Sequence, residues 1–581
     1  MAVRRGVWIV LVLIILAIAV SAMGLVAMAL FVGREPQVAG NSTLVLKIGG
    51  DLQETEPGGV IGQFFEAPPT VRTLVDALRK AKVDRRISSV IIRPTSAAAL
   101  WGKVQEVRDA IVDFRRSGKP IIGYLEYGGQ QEFYLASACD KVYLLPTATL
   151  DLTGMASYEL FLRGTLDKIG AYPDTLHIGE YKTASNTFTE HTFTPAHREM
   201  AESLNTDLYN QLIRGIASGR RKSEKDVRAL VDHGPFLPED AVRAGLVDDV
   251  AYEDELDDKV QLSKGKATFL TESDYRHVSP TSVGLNRGPR IAVIYATGVI
   301  ASGDSNYDSP SGQVVGSSTM VDSLRKARAD SSIRAIVLRI DSPGGSAIAS
   351  DVIWREVMLT KNVKPVIASM SDVAASGGYY IAMPAHAIVA EPATLTGSIG
   401  VVMLKFVIDG TLKKLGMNVE GVSSGRYADL YSPVRAFTTE ERAKIQEQMQ
   451  ATYDAFVEKA AAGRNTTPER IDAIGQGRVW TGAQGKQLGL VDELGGLERA
   501  LAVAKQRAKL APDSEVEIVV YPSKKSFYDI VRNPFGASDR ASALAVLLGI
   551  RDPRQLQSLT APLQVFRRGE PLAIMPNVFI R

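Results

Sequence analysis

Ser376 has the best claim to nucleophilic chemistry in this sequence. It stands in Ser371-Asp-Val-Ala-Ala-Ser-Gly-Gly-Tyr-Tyr380. Ala374-x-Ser376-x-Gly378 approaches the G-x-S-x-G elbow, in which small neighbours permit a sharp strand-to-helix turn that leaves the hydroxyl exposed. The amide that follows, on Gly377, would face the anion formed on attack, with the positive end of the helix behind it. Read alone, Ser376 would serve equally well as an N-cap in a glycine turn. A second loop, Asp341-Ser-Pro-Gly-Gly-Ser346, also follows an apolar strand and opens a helix. Proline fixes φ, paired glycines reach conformations closed to other residues, and a helix start exposes unpaired N–H groups. Gly344 and Gly345 could therefore hold an oxyanion or a phosphate, although a lone Pro-Gly-Gly is also an ordinary turn.

A serine hydroxyl is a poor nucleophile at neutral pH and needs a base. Of six histidines, only His386 follows in the same half of the chain, one helix beyond Ser376. A Ser-His-Asp arrangement around it is the alternative. His191 and His197 lie in a Thr/Pro-rich stretch and read as solvated surface residues.

Comparing the chain with itself yields a better base. Asp76-Ala-Leu-Arg-Lys-Ala-Lys-Val-Asp84 recurs as Asp322-Ser-Leu-Arg-Lys-Ala-Arg-Ala-Asp330. At the same offset Ile87–Arg93 faces Ile333–Arg339, and Gly164–Gly170 faces Gly410–Gly416. So long a period marks a duplicated domain and not a solenoid. Ile178-Gly-Glu-Tyr-Lys182 then matches Ser424-Gly-Arg-Tyr-Ala428, while Gln130 stands where Ser376 would be and Thr95-Ser-Ala-Ala-Ala99 replaces the Pro-Gly-Gly loop. The copies have lost opposite halves of a pair, so one composite site between them is expected, with Lys182 as base. Its pKa must then fall from about 10.4 to about 7 or 8, through burial away from water.

The elements that must position these residues are short β-branched runs, such as Arg290–Tyr295, Ala335–Arg339 and Pro365–Ser369, alternating with amphipathic stretches such as Ser318–Ala329. That pattern predicts parallel β-α-β units, hence an α/β layered domain written twice. Ligands in such folds sit beyond the carboxyl ends of the strands, which directs attention to the loops after Arg339 and Met370. Gly6–Val32 is uncharged and apolar behind Arg4 and Arg5. It exceeds the roughly 20 residues that span a bilayer and the about 7–15 of a cleavable signal. An uncleaved anchor is expected, its arginines cytoplasmic and everything after residue 34 across the membrane. The expected organisation is an anchor at 1–35, a first repeat at 40–280 supplying Lys182, a second at 289–525 supplying Ser376, and a tail at 526–581. The apolar tail could cover the site mouth or pack against a neighbouring protomer, and packing is the favoured reading.

Composition sets bounds on the rest. At 581 residues, with 45% apolar and 23% charged residues, the chain is ordinary folded material. A net charge of +2 provides no bulk field for nucleic acid, and the single Cys139 permits neither an internal disulfide nor a cysteine zinc cage.

With these residues in view, the chain resembles the long-form signal peptide peptidase A proteins of bacteria, membrane-anchored serine proteases of family S49. The resemblance covers the anchor, both repeats, the S-P-G-G loop, Asp372–Tyr380 and the G-x-Y-K segment. It implies tandem Clp protease/crotonase-like domains, Ser376 as nucleophile, and Lys182 as general base and later acid. The amides of Gly377 and of Gly344 or Gly345 would bind the oxyanion. It further implies a homotetramer at the bacterial inner membrane with a periplasmic catalytic body, degrading released signal peptides and other apolar peptides, with no metal, nucleotide or other cofactor. The family loop commonly begins with Asn where this chain has Asp341, a change expected to matter little. Two rivals remain: a crotonase-type acyl-CoA enzyme, which would need glutamates at the site mouth and a cytoplasmic CoA supply, and a non-catalytic membrane scaffold.

Overall fold

The computed structural model of the protein describes residue 16 and residues 36–55, 69–260, 268–305, 313–522, 571–575 and 579–580. Apart from Leu16, the expected anchor lies outside these. Among the described residues no helix is long and apolar enough to cross a membrane.

Two sheets repeat one another strand for strand. Ser42–Gly50, Ile87–Ala97, Ile121–Leu125 and Lys141–Leu144 run parallel, each beside the next. Arg290–Thr297, Ile333–Ser342, Val366–Ala375 and Ala387–Ala390 do the same. Thr268–Thr271 and Glu517–Tyr521 flank the first strand of each, and Asp249–Val250 and Glu493–Leu494 flank the fourth. The strands are near-continuous Val, Ile, Leu and Ala because helices cover both faces; Val337, Leu338 and Ile340 are fully buried. The helices Val71–Val83 and Ser317–Ala329 occupy matching places. So do Pro195–Arg220 and Thr439–Arg464, each opened by a threonine cap, Thr194 or Thr438. Each repeat has its own apolar core.

Two connections join the repeats. The lysine strand, Tyr172–Ile178, leaves the first repeat and pairs antiparallel with Val401–Val407 of the second, with Ile178 opposite Val401. The second connection is polar. The helix Trp101–Arg115 lies against the serine strand Val366–Ala375, whose Asp372 carboxylate accepts the amides of Leu100 (2.9 Å) and Lys103 (2.8 Å) at the helix start. A carboxylate there is favoured by the helix dipole.

The serine strand runs further than its sequence suggested, through Ala375 rather than stopping at Met370. It changes partners on the way: Ile367–Met370 pair with Ala387–Ala390, and Val373–Ala375 then pair with Leu395–Gly397. The expected tail placement also needs correction. Leu572–Ile574 forms a strand between Gly344–Ser346 and Val401–Val407 of this same chain, so the tail covers the site and does not serve only as outward packing.

Candidate active site

Ser376 ends the serine strand at φ 53°, ψ −112°, a backbone conformation that only a tight turn imposes on a residue with a side chain. Two hydrogen bonds fix it: its amide donates to the Gly397 carbonyl (2.8 Å), and its carbonyl accepts the Tyr380 amide (2.8 Å) of the next helix, Gly377–Ala382. Its hydroxyl makes no cap bond, so the N-cap reading of this residue does not hold. Instead, Oγ lies 2.7 Å from the Lys182 Nζ.

Lys182 reaches this point because the lysine strand is clamped to the second repeat four residues earlier, at Ile178. Its Nζ also lies 2.9 Å from the Ser398 carbonyl oxygen and 3.0 Å from the Ser398 Oγ. The amine is 1% exposed. Burial, with no carboxylate beside it to offset the loss of water, holds its pKa well below the usual lysine range. Two glycines let the second repeat close over it. A Cβ on Gly477 would stand 2.5 Å from the Lys182 amide nitrogen, and one on Gly400 would stand 3.0 Å from the Lys182 Cδ. The chain therefore brings together the two residues that its halves had each kept separately.

The third expected component lies alongside. A Cβ on Gly344 would fall 2.7 Å from the Gly377 amide nitrogen, so the two glycine loops are in backbone contact. Gly344 and Gly345 take φ of 101° and 152°, which favour glycine. The Gly344 amide donates to Ser342 Oγ (3.2 Å).

His386 is elsewhere. Its Nδ1 accepts the Val366 amide (3.1 Å) at the opposite end of the serine strand, and it is not brought to Ser376. His191 is exposed as expected, but His197 is not the solvated residue expected. It is 1% exposed, packs against Phe161 and Phe193, and pairs with Glu159 at 2.6 Å. The local polarity of its segment concealed two phenylalanines that enclose the ring.

The sequence reading missed three features. Ser398, at φ 51°, takes up two contacts of the lysine amine; at the offset of the repeats it faces Leu152, the same kind of difference that singled out Ser376 and Lys182. Asp341, expected to matter little, forms an ion pair with Lys103 of the first repeat at 2.7 Å and accepts the Val373 amide at 3.2 Å. Burial opposes the Lys103 charge, but Asp341, Asp372 and Glu54 outweigh it and hold the ammonium above its usual range. Burial raises the Asp372 pKa to about 6. Lastly, Arg339 is buried between Glu54 and Glu106, both of the first repeat, at 2.8 and 2.5 Å.

The family model described as Peptidase family S49 matches the chain twice, over residues 113–266 and 358–511. The chain is similar to "Serine protease SPPA, chloroplastic" of Arabidopsis thaliana, 36% identical over 83% of this chain and 72% of that protein. It is also similar to "Protease 4" of Salmonella typhi, 34% identical over 81% of this chain and 76% of that protein. Among solved structures it is similar to the K138A mutant of 1510-N membrane-bound stomatin-specific protease in complex with a substrate peptide, at a TM-score of 0.26 and 16% identity over 43% of this chain and 97% of the other. ClpP1 from Listeria monocytogenes gives a TM-score of 0.21 at 16% identity over 35% of this chain and 89% of the other. The chain belongs to peptidase family S49, as a long form of the signal peptide peptidase A kind, and is a serine peptidase.

Proposed function

We propose that the chain hydrolyses apolar peptides, cleaved signal peptides among them, by a Ser376/Lys182 dyad with a backbone oxyanion hole. The observation that carries this reading is the 2.7 Å contact between the Ser376 hydroxyl and a buried amine kept neutral by its surroundings. A neutral amine has two N–H groups and one lone pair. Ser398 offers its carbonyl oxygen and its hydroxyl oxygen to the N–H groups, which leaves the lone pair for the Ser376 proton. As Oγ attacks the peptide carbonyl, Lys182 takes the proton, and it then gives the proton to the departing amine. Water resolves the acyl-enzyme by the same route in reverse.

The developing oxyanion is assigned to the amides of Gly377 and Gly345. Gly344 shapes the loop, because its own amide already donates to Ser342. A histidine base is disfavoured by the position of His386 at the other end of the strand. The wider assignment follows the sequence: an anchor within residues 1–35, repeats at 40–280 and 289–525, an extracytoplasmic body at the bacterial inner membrane, and a homotetramer with Clp protease/crotonase-like domains. The name of an Enterococcus faecium relative, "Putative signal peptide peptidase SppA", supports the substrate class.

The test is labelling of the full chain with a serine-directed fluorophosphonate, followed by mapping of the adduct. Ser376→Ala and Lys182→Ala should each lower hydrolysis of an apolar peptide ester by at least about 10³-fold. An adduct on another serine, or full activity in either variant, rules the dyad out.

A further inference from the structure

The strand Leu572–Ile574 lies where a peptide awaiting attack by Ser376 would have to lie. On one side it runs antiparallel to the glycine loop, with Gly344 opposite Ile574, Gly345 opposite Ala573 and Ser346 opposite Leu572. On the other side Leu572 pairs with Val402. The ends are tied as well: the Met575 amide donates to the Pro343 carbonyl (2.8 Å), and the Ala347 amide to the Pro571 carbonyl (3.3 Å). The segment is thus an added strand held by main-chain hydrogen bonds, the mode in which a sheet edge captures an extended peptide.

The register is the informative part. The carbonyl oxygen of Ala573 stands 1.9 Å from the place a Cβ would take on Gly344, and 3.1 Å from the corresponding place on Gly377. The two glycine loops proposed to bind the oxyanion therefore enclose the carbonyl oxygen of one particular residue. The side chains fit the same register. Leu572 and Ala573 are 3% and 1% exposed. Met575 enters an apolar group formed by Val373, Ala375, Leu395 and Val479 with Met200 and Leu204 of the first repeat.

We infer that Pro571–Met575 is a built-in pseudosubstrate of this peptidase, seated with Ala573 as the residue whose carbonyl faces the nucleophile. It rests on the Ser376 reading above. The groove accordingly takes extended apolar peptides with a small side chain at the attacked carbonyl, and the tail must leave before such a peptide is cut. A tethered segment acts at an effective concentration of about 1 mM, so even a segment of about 100 µM affinity suppresses the site about tenfold.

The experiment compares the full chain with a variant ending at Glu570 and with Ala573→Trp, whose indole does not fit the closed position. The readouts are the rate of fluorophosphonate labelling of Ser376 and the KM for an apolar peptide ester. Both variants should label about tenfold faster, with lower KM. A synthetic peptide of the sequence Pro571–Asn577 should inhibit the shortened chain competitively, and the same peptide carrying Trp for Ala573 should not. If the intact chain is found cut, with water added across the Ala573–Ile574 amide to leave a carboxylate on Ala573 and an amine on Ile574, and Ser376→Ala stays whole, that register is supported directly. Equal labelling rates in all three proteins, with no inhibition by the peptide, overturn the pseudosubstrate and leave the nucleophile intact. If Ser376 takes no label even in the shortened chain, the dyad itself has failed.

Discussion

Arg478 of the second repeat and Glu199 of the first meet 2.6 Å apart, and the same Glu199 carboxylate accepts the hydroxyl of Tyr181, the residue before Lys182, at 2.9 Å. The Arg478 guanidinium is stacked between the rings of Tyr181 and Trp480, 4.6 and 4.5 Å from their centroids. Its backbone carbonyl accepts the Ser398 amide at 2.7 Å. One residue therefore braces both the lysine segment and the serine that orients the amine.

Arg478→Ala should consequently act on catalysis through Lys182. Loss of the stacked cover lets water reach the amine, and water favours the ammonium form. The acid limb of kcat/KM should move to higher pH, with a fall of about tenfold at neutral pH. Arg478→Lys should recover only part of this, because an ammonium cannot stack between two rings as a planar guanidinium does. A pH profile superimposable on that of the parent would show that Arg478 has no positioning role.

Ser398→Ala removes one of the two oxygen contacts of the Lys182 amine and retains the carbonyl. The amine then gains rotational freedom, and its lone pair points at Ser376 for a smaller fraction of the time. kcat should fall about 10- to 100-fold with KM little changed, because the contact serves proton transfer and not peptide binding. Steady-state kinetics on a peptide ester check this, and a change confined to KM would contradict it.

The two ends of the proton transfer were legible in the sequence because duplication acted as an internal control: where Ser376 faces Gln130 and Lys182 faces Ala428, each copy shows what the other has given up. The strands were legible for a different reason. Parallel strands covered on both faces must be apolar along their whole length, as Ile336–Ile340 are. What escaped depends on contacts between distant segments. Asp341 seemed a neutral exchange in its own loop, yet its partner, Lys103, lies in the other repeat. The short strand Leu572–Ile574 is too brief to show a period, and its place is set by main-chain hydrogen bonds that any residue but proline could make.

Arg339 illustrates an energetic consequence of such a distant contact. Its guanidinium bridges Glu54 and Glu106 of the first repeat and also reaches Ser369 and Ser371 at 3.1 Å. Arg339→Leu leaves two carboxylates buried without a cation, which should destabilise the chain by about 3–5 kcal/mol. The triple change to Leu at Arg339 with Gln at Glu54 and Glu106 should recover much of that loss. Denaturant unfolding of the three proteins tests this, and a single variant as stable as the parent would mean that the network is solvated.

The low pKa of Lys182 can be checked without any substrate. In the unfolded chain this lysine titrates near 10.4. In the folded chain burial holds it well below that value. Between the two pH values the unfolded state binds more protons than the folded one, so stability must rise with pH across that window, by at most about 1.4 kcal/mol per pH unit. Below the folded pKa the amine is protonated in both states and contributes no slope. Lys182→Met carries no titrating group and should lack this contribution, so the difference in unfolding free energy between parent and variant should vary with pH from about 7 to 10 in the parent's favour. Urea unfolding at several pH values measures it. A difference that stays flat across that range would mean the folded amine titrates like any surface lysine, and it could not then accept the Ser376 proton at neutral pH.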